Sequence, residues 1–404
     1  MSRPLRLPAS STESQWLYTP AELAHSPSVR AGLTVQQELH GRARAIKRLW
    51  TLRNYQTVSV PLRRASFPAQ RADCDGATQR HQPVISTAAT FLHRFYMRET
   101  MQQYDPVVNY DPMSTRMRAR KADSSRSECR TNRNQTAAVA AFFLACKSEE
   151  EPRSIKALVQ FLLEATRDQR RFRVDRIAAP QTDLPEFQKL RAKVLTYEEA
   201  ILRSLCYDLT VRNPHWYAVN TAKQVWTGGD ETETGKRVAQ VAWTFLNDSL
   251  ALPLCLLYRP QLIAAASLVL ACAQLDQPLP PSPGSLSEQK ALHELEIQEA
   301  EEGEEPAPFV PRMGWMDLLE IKPEELRDPI KAMLGGYDLA LDPFVASEAK
   351  LLAPKVDALL SELLASRTDP NPAIAIEGES QGGSQTAAPE TTDGDVSMAS
   401  ASSA

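Results

Sequence analysis

Two predicted helices of this chain are apolar on every side. The first run ends in FLACK at positions 143–147, and the second ends in VLACA at positions 269–273, 126 residues further along the chain. A helix without a polar face is a buried helix, and its alanines let neighbouring helices approach closely. The two runs therefore predict two similar helical units, each packed around its own central helix. They differ where Lys147 is matched by Ala273, and we expect this asymmetry to carry function.

Apolar residues recur at helical spacing along most of the chain. Thr19 as N-cap and Pro20 at the first helical position predict a short helix near the start. The other predicted helices cover 38–53, 83–101, 135–147, a segment opened by Pro152, 187–205, 214–226, 235–250, 260–275, 322–335 and 347–366. The folded part lacks the alternating pattern that is typical of strands, so the predicted fold class is all-α.

Changes in composition divide the predicted helices into two units with irregular insertions. The expected segments are a disordered N-terminus at 1–15, a first repeat at 16–211, a second repeat at 212–345, a C-terminal helix at 346–367 and a disordered tail at 368–404. Insertions 54–80 and 105–133 lack sustained periodicity, and insertion 276–308 is Pro-rich and then acidic. Loops of this length are uncommon in compact domains. The first two insertions are therefore either structured additions or translated introns.

Bulk composition excludes several classes of protein. Apolar residues make up 43% of the chain and charged residues 24%, which is ordinary for a soluble globular protein. The net charge of −4 argues against a general nucleic-acid binder. Segment 112–133 holds seven basic residues against two acids, but it lacks aromatic residues, so we expect a solvated loop. The most apolar run, 262–273, is shorter than the roughly 20 residues of a membrane-spanning helix, so no membrane is expected.

Motifs for catalysis or metal binding are missing from the sequence. It contains no Gly-rich phosphate loop, GxSxG elbow or HExxH, and its six histidines and six cysteines show no metal-ligand spacing. We therefore expect a non-catalytic protein without cofactor or metal. The adjacent acids at 149–150 and 198–199 are expected to be exposed, because neighbouring residues on a helix do not face each other. Lys147 at a helix end would complement the helix dipole.

Several short motifs, taken in order, resemble the cyclin box. They are FLHRFYM at 91–97, FLACKSEE at 143–150, the segment 198–207, DLTV at 208–211 and NPH at 213–215. WLYT at 16–19, SPS at 26–28, YRP at 258–260 and GW at 314–315 extend the likeness to about residues 16–340. The chain is most similar to transcriptional cyclins of the T and K type, which include the fungal cyclin subunit of the RNA polymerase II C-terminal-domain kinase.

The resemblance implies two tandem cyclin-box repeats of about five helices each and no catalysis of the chain's own. In the family, the lysine that ends the third helix and a glutamate of the fifth helix hold the kinase, and they fall on Lys147 and Glu198. The aromatic and acidic neighbours of that surface fall on Phe143, Glu150 and Tyr207. Ala273 at the position equivalent to Lys147 implies that only the first repeat docks the kinase.

The function implied is that of a nuclear regulatory cyclin. It would bind and activate a transcriptional cyclin-dependent kinase that phosphorylates the RNA polymerase II C-terminal domain and promotes elongation. One alternative is a cyclin C/H-like subunit of Mediator or of the general transcription machinery. Another is a transcription-factor-B-like adaptor without a kinase, which a basic chain and an N-terminal zinc ribbon would favour. A helical-repeat scaffold would need three or more shorter repeats.

Overall fold

In the computed structural model every regular element of the described residues is a helix, so the predicted all-α class is confirmed. The described residues are 14–59, 82–104, 133–167, 182–226, 229–280, 289–291, 293–294, 313–338 and 343–365. Within these ranges no helix is both long and apolar enough to span a membrane. The predictions for the tail 368–404, for nearly all of 1–15 and 105–133, and for most of 54–80 and 276–308 lie outside the described residues.

The first repeat is built around α6, which packs against the long helices on all its sides. Its helices are α1 (Pro20–Ala24), α2 (Pro27–Arg30), α3 (Val35–Ser59), α4 (Gln82–Phe95), α5 (Met101–Tyr104), α6 (Arg133–Ser148), α7 (Ile155–Arg167) and α8 (Pro185–Ser204). The expected cap of α1 is present, because the Thr19 hydroxyl accepts from the backbone N–H of Glu22 at 3.2 Å. Helices α3, α4, α7 and α8 surround α6, and their apolar faces form one continuous core.

The second repeat is built in the same way around α11 and has its own core. Its helices are α9 (Pro214–Val225), α10 (Gly229–Ser249), α11 (Pro260–Leu275), α12 (Trp315–Leu319), α13 (Arg327–Asp338) and α14 (Pro343–Ala365), with 3-10 turns at Pro253–Leu256 and Pro323–Leu326. Helix α4 of the first repeat contacts the turn at Pro253–Leu256. The two repeats therefore meet along α4.

The two central helices are buried around their whole circumference, as the sequence predicts. Every residue of 137–146 in α6 and of 262–273 in α11 is at most 7% exposed. Small residues dominate both stretches, and they let the surrounding helices approach the central one closely. Cys146 and Cys272 are among these buried residues and serve as small apolar side chains.

The duplication extends to the backbone geometry that ends each central helix. The N–H of Glu151 donates to the carbonyl of Cys146 at 2.9 Å, and the N–H of Gln277 donates to the carbonyl of Cys272 at 2.9 Å. The preceding residues, Glu150 and Asp276, have left-handed φ values of 55° and 52°. This is the Schellman helix end, where glycine is the usual left-handed residue. Both central helices thus end in the same turn, 126 residues apart, and each turn has an acidic residue in place of the usual glycine.

Some predicted boundaries are wrong by several residues. Helix α3 runs to Ser59, so the first residues of the predicted insertion 54–80 are helical. The predicted helix 83–101 is two helices, α4 and α5. After α4 the backbone forms hydrogen bonds between residues three apart instead of four, such as that from the N–H of Met97 to the carbonyl of Arg94 at 3.1 Å. The predicted helix 322–335 begins instead as a 3-10 turn. The sequence analysis did not predict α12.

Two buried histidines lie where the repeats meet. His93 Nε2 is 3.0 Å from the carbonyl of Leu250, and His215 Nε2 is 3.1 Å from Asn247 Oδ1. Burial lowers the pKa of His93 to about 3, helped by the nearby charge of Arg42. Burial also lowers the pKa of His215 to about 4. Both rings are therefore neutral in the folded protein at pH 7 and pH 6.

The buried histidines predict that acid destabilises the fold. In the unfolded chain the pKa of each histidine is about 6.5. Below that pH both rings are protonated in the unfolded state but stay neutral in the folded state. Between pH 7 and pH 6 the free energy of unfolding should fall by about 0.7 kcal/mol per histidine and continue to fall towards the folded-state pKa values. Urea titrations at pH 7 and pH 6 measure this. The variant His93→Gln/His215→Gln should show a flatter dependence, and equal slopes in both proteins would contradict the assignment.

Candidate functional site

Lys147 and Glu198 meet at the surface of the first repeat. Lys147 in the last turn of α6 donates from Nζ to Oε1 of Glu198 on α8 at 2.7 Å. The side chain of Lys147 is 48% exposed and that of Glu198 is 8% exposed. The expectation that Glu198 is exposed is therefore wrong, because a lysine from another helix pairs with it and removes most of the cost of burying its charge.

The ring of Phe143 also contacts the ammonium group of Lys147. It lies one turn before Lys147 on α6, at the spacing that brings two helical side chains together. Lys147 Nζ is 4.2 Å from the centre of the Phe143 ring, within range of a cation–π contact. The cation thus lies against an aromatic ring and a carboxylate. The structure brings into contact three residues that the family resemblance groups, and their role in binding a kinase stays a prediction.

Hydrogen bonds connect the end of α6 to other elements of the first repeat. Thr87 Oγ1 on α4 donates to Oε1 of Glu149 at 2.6 Å, and Ser148 Oγ donates to the carbonyl of Leu209 at 3.4 Å. Glu150 occupies the left-handed position of the helix end and is exposed. These contacts hold the end of α6, and with it the backbone of Lys147, against α4 and the segment after α8.

Helix α8 ends in the same Schellman geometry as α6, and an aromatic residue, Tyr207, is exposed there. The N–H of Tyr207 donates to the carbonyl of Leu202 at 3.0 Å, and the N–H of Cys206 donates to that of Arg203 at 3.0 Å. Cys206 and Tyr207 both have left-handed φ values, 51° and 61°. A residue other than glycine costs about 1–2 kcal/mol there. The ring of Tyr207 is nevertheless 68% exposed, which is unusual for a strained bulky residue.

Hydrogen-bond and cation–π contacts hold the N-terminal segment close to Tyr207. Trp16 Nε1 donates to Oδ2 of Asp208 at 2.8 Å. The guanidinium groups of Arg94 and Arg98 each lie 4.8 Å from the centre of the Trp16 ring, and Arg98 also contacts the sulfur of Cys206 at 2.7 Å. The pairing of Trp16 with Asp208 was not predictable from the sequence, because 192 residues separate them.

The structure thus brings Lys147, Glu198 and Phe143 into contact and places Glu150 and Tyr207 at the exposed ends of the same two helices. It also adds Leu195, which the sequence analysis missed. Leu195 lies three residues before Glu198 on α8 and is 36% exposed. An apolar residue outside the buried stripe of its helix was the available signal. The site is a charged pair beside exposed apolar side chains.

The chemistry available at this site is that of charged and apolar side chains. Burial raises the pKa of the Cys146 thiol, one residue before Lys147, to about 12, so the thiol stays protonated and unreactive. In the part of the chain that the structure describes, no three His, Cys, Asp or Glu side chains are placed to hold a metal ion. What remains at the site is an oriented cation, a carboxylate and apolar surface.

Comparisons with known proteins agree with this description. No family model matches the chain. Cyclin pch1 of Schizosaccharomyces pombe is 27% identical over 260 residues, which cover 64% of this chain and 58% of that protein. Cyclin-T1-3 of Oryza sativa is 28% identical over 199 residues (49% and 33%), and cyclin-K of Danio rerio is 28% identical over 191 residues (47% and 35%). The chain is related to the transcriptional cyclins of the T and K type.

The resemblance seen in the sequence is therefore confirmed. The matches to these cyclins span between about a third and three fifths of the relatives' own length. Among solved structures, one chain of the CAK complex from Chaetomium thermophilum bound to ATP-γ-S is 15% identical, with a TM-score of 0.46, covering 93% of this chain and 97% of that one. A TM-score of this size is too low to support a statement about the fold.

Proposed function

We propose that this cyclin relative is the regulatory subunit of a cyclin-dependent kinase that phosphorylates the C-terminal domain of RNA polymerase II in the nucleus and promotes elongation. The observation that carries the proposal is the ion pair of Lys147 with Glu198 at the surface of the first repeat. The equivalent of Lys147 in the second repeat is Ala273, which is 2% exposed, so the second repeat offers no such cation. Docking through the first repeat alone gives one kinase per chain.

The chemistry of the pair suits a protein interface. An ammonium group has three N–H donors, and the bond to Glu198 uses one of them. The half-exposed Lys147 therefore keeps donors for carbonyl groups of a partner, while Glu198 can accept further bonds. In a desolvated interface, loss of one such partner costs about 2–5 kcal/mol. Exposed Leu195 and Tyr207 supply apolar contacts beside the charges.

Activation follows from the rigidity of this surface. A protein kinase is active only when its αC helix places the glutamate that pairs with the catalytic lysine. A fixed partner surface that binds this helix holds the kinase in its active arrangement. The bonds that fasten the ends of α6 and α8 supply that rigidity, so the chain contributes to catalysis without contacting the reacting atoms.

The test is an affinity capture of full-length chain from nuclear extract. Lys147→Ala/Glu198→Ala removes the proposed contact pair. The matched control is Glu199→Ala/Arg203→Ala, which removes an exposed pair joined at 2.6 Å on the same helix. We expect a cyclin-dependent kinase with the unmodified chain and with the control, no kinase with the first variant, and phosphorylation of a polymerase C-terminal-domain peptide by the captured complex.

Each of the other possible outcomes would contradict a different part of the proposal. Equal capture by both variants would overturn the docking site. A captured kinase that is inactive on the polymerase peptide would favour a cyclin C/H-like subunit of Mediator or of the general machinery. Capture of other transcription factors without any kinase would favour the transcription-factor-B-like adaptor.

A further inference from the structure

A pocket of about 320 Å³ lies where the two repeats meet. Helix α3 of the first repeat contributes Leu39 and Ala43 to its wall, and α10 and α13 of the second repeat contribute Phe245 and Met333. Leu252, in the segment after α10, completes the apolar part of the wall. The pocket is large enough for a small ligand. None of the residues that line it belongs to the candidate docking site.

One carboxylate interrupts this apolar wall. Asp248 near the end of α10 and Tyr337 on α13 both line the pocket, and Asp248 is exposed to solvent. The hydroxyl of Tyr337 donates to Oδ2 of Asp248 at 2.9 Å. Among the described residues no side chain or backbone group donates to Oδ1 of Asp248. The bond from Tyr337 therefore orients the carboxylate and leaves its second oxygen available to a ligand.

The charge of Asp248 has no cation beside it in the described part of the chain. No Lys, Arg or His of these ranges forms an ion pair with it. The apolar surroundings remove part of its hydration and raise the pKa of Asp248, while the bond from Tyr337 lowers it. The carboxylate is thus less well solvated than in open water. A cation that entered the pocket would be attracted more strongly there than on an open surface.

The single available oxygen of Asp248 favours an ammonium group over other cations. A guanidinium group binds a carboxylate best through both oxygens, and Tyr337 already occupies Oδ2. A metal ion such as Ca²⁺ takes several oxygen ligands, and no group of three acidic, His or Cys side chains within the described ranges could hold one. An ammonium group is a compact charge that can pair with one oxygen.

The walls of the pocket suit an alkyl chain that carries the ammonium group at its end. Leu39, Leu252 and Met333 supply apolar surface from three separate elements. The rings of Phe245 and Tyr337 meet edge to face, with centres 6.4 Å apart and planes at 78°. Aromatic rings attract cations, and the methylene groups of an alkylammonium chain pack on apolar surface. The pocket therefore combines the two kinds of surface that such a ligand needs.

We propose that this pocket binds a primary alkylammonium group, with the ammonium paired to Asp248 and the alkyl chain packed against Leu39, Leu252 and Met333. A lysine side chain of another protein and a free alkylamine present this same chemistry. The ligand contacts both repeats, so its binding also stabilises the joint between them. The site shares no residue with the Lys147 face, and the proposal holds whether or not that face binds a kinase.

The experiment titrates the full-length chain, isotope-labelled at its methionine methyl groups, with n-butylammonium chloride. Met333 lines the pocket, whereas Met316 lies in the core of the same repeat away from it and serves as the internal reference. We expect a saturable change in the NMR signal of Met333 and none in that of Met316. n-Butanol, the neutral probe, should bind at least about tenfold more weakly because it lacks the charge. Equal affinity for the two probes would overturn the proposal.

Three variants separate a binding role of the carboxylate from a structural one. Asp248→Asn keeps an acceptor for the hydroxyl of Tyr337 and removes only the charge, so n-butylammonium should bind about tenfold more weakly and n-butanol as before. Glu233→Gln removes a 69% exposed acid from the same helix and should leave both affinities unchanged. Ala43→Leu fills part of the pocket and should weaken both probes. Unchanged binding of n-butylammonium to Asp248→Asn or to Ala43→Leu would overturn the site.

A peptide identifies the source of the ammonium group. The probe is a capped five-residue peptide with lysine between two pairs of glycines, and its control carries norleucine instead. Binding of the lysine peptide at least as tight as that of n-butylammonium would identify a lysine of a partner protein as the ligand. Binding of n-butylammonium without binding of the peptide would identify a free alkylamine. A norleucine peptide that binds as tightly as the lysine peptide would overturn the pairing with Asp248.

Discussion

Tyr207→Gly is expected to weaken binding of the proposed kinase about 30-fold without lowering the stability of the chain. The aromatic ring is 68% exposed, so the folded chain loses little packing when it is removed. At a φ of 61°, glycine relieves a strain of about 1–2 kcal/mol, which offsets the greater entropy that glycine gives the unfolded chain. In the proposed interface Tyr207 is an aromatic anchor, and removal of such an anchor costs about 2 kcal/mol of binding.

Titration calorimetry with the kinase identified by affinity capture measures the binding, and urea unfolding measures the stability. The control is Glu320→Gly, which relieves strain at another left-handed residue, φ 55°, in the second repeat. The control should leave kinase affinity unchanged. A Tyr207→Gly chain that binds as tightly as the unmodified one would remove Tyr207 from the docking face.

Arg42→Met is expected to lower the free energy of unfolding by about 3–5 kcal/mol. Arg42 and Glu38 form an ion pair on α3 with side chains that are 1% and 3% exposed. Arg42 Nε donates to Glu38 Oε1 at 3.0 Å and its Nη1 donates to the carbonyl of His93 at 2.8 Å, while the Ser26 hydroxyl donates to Glu38 Oε2. Methionine fills part of the space but leaves the buried carboxylate without its cation, and that unpaired charge is the source of the loss.

Thermal and urea unfolding of Glu38→Leu and of two further variants defines the cause. Lys236→Met breaks an exposed pair with Glu233 at 3.2 Å, with both side chains 69% exposed, and should cost less than about 1 kcal/mol. Glu38→Leu/Arg42→Met removes both buried charges and should recover much of the stability lost in the single variant. If the double variant is as unstable as the sum of its single changes, packing rather than charge sets the cost.

Apolar pattern alone was enough to predict the central helices α6 and α11, because a helix buried on all sides needs no knowledge of its neighbours. The starts of α1, α9 and α11 were also predictable, since proline at the first turn is a local signal. The end of α4 was not, because Phe95, Tyr96 and Met97 continue its apolar pattern and neither glycine nor proline marks the end. The chain turns there into α5, where the N–H of Met101 donates to the hydroxyl of Ser28 at 2.9 Å, a tertiary contact that local sequence does not reveal.

The site was predictable in part for a similar reason. Lys147 stood out because the two repeats differ there, and that comparison lies within the sequence. Its partner Glu198 is 51 residues away, and a lone glutamate is exposed by default, so its burial depends on the packing of α8 against α6. The position of α14 was beyond prediction, because periodicity identifies the apolar side of a helix but not the surface that it covers.

The segment that follows Trp16, a buried residue of the first core, connects the two repeats. Trp16 donates to Asp208 in the first repeat, and two residues later the N–H of Tyr18 donates to the carbonyl of Leu256 in the second at 2.7 Å. A strap of three residues therefore spans the joint between the repeats close to Tyr207. Loss of residues 16–18 would therefore remove this tether and a buried side chain of the first core together, so the N-terminal segment couples the packing of the first repeat to its position against the second.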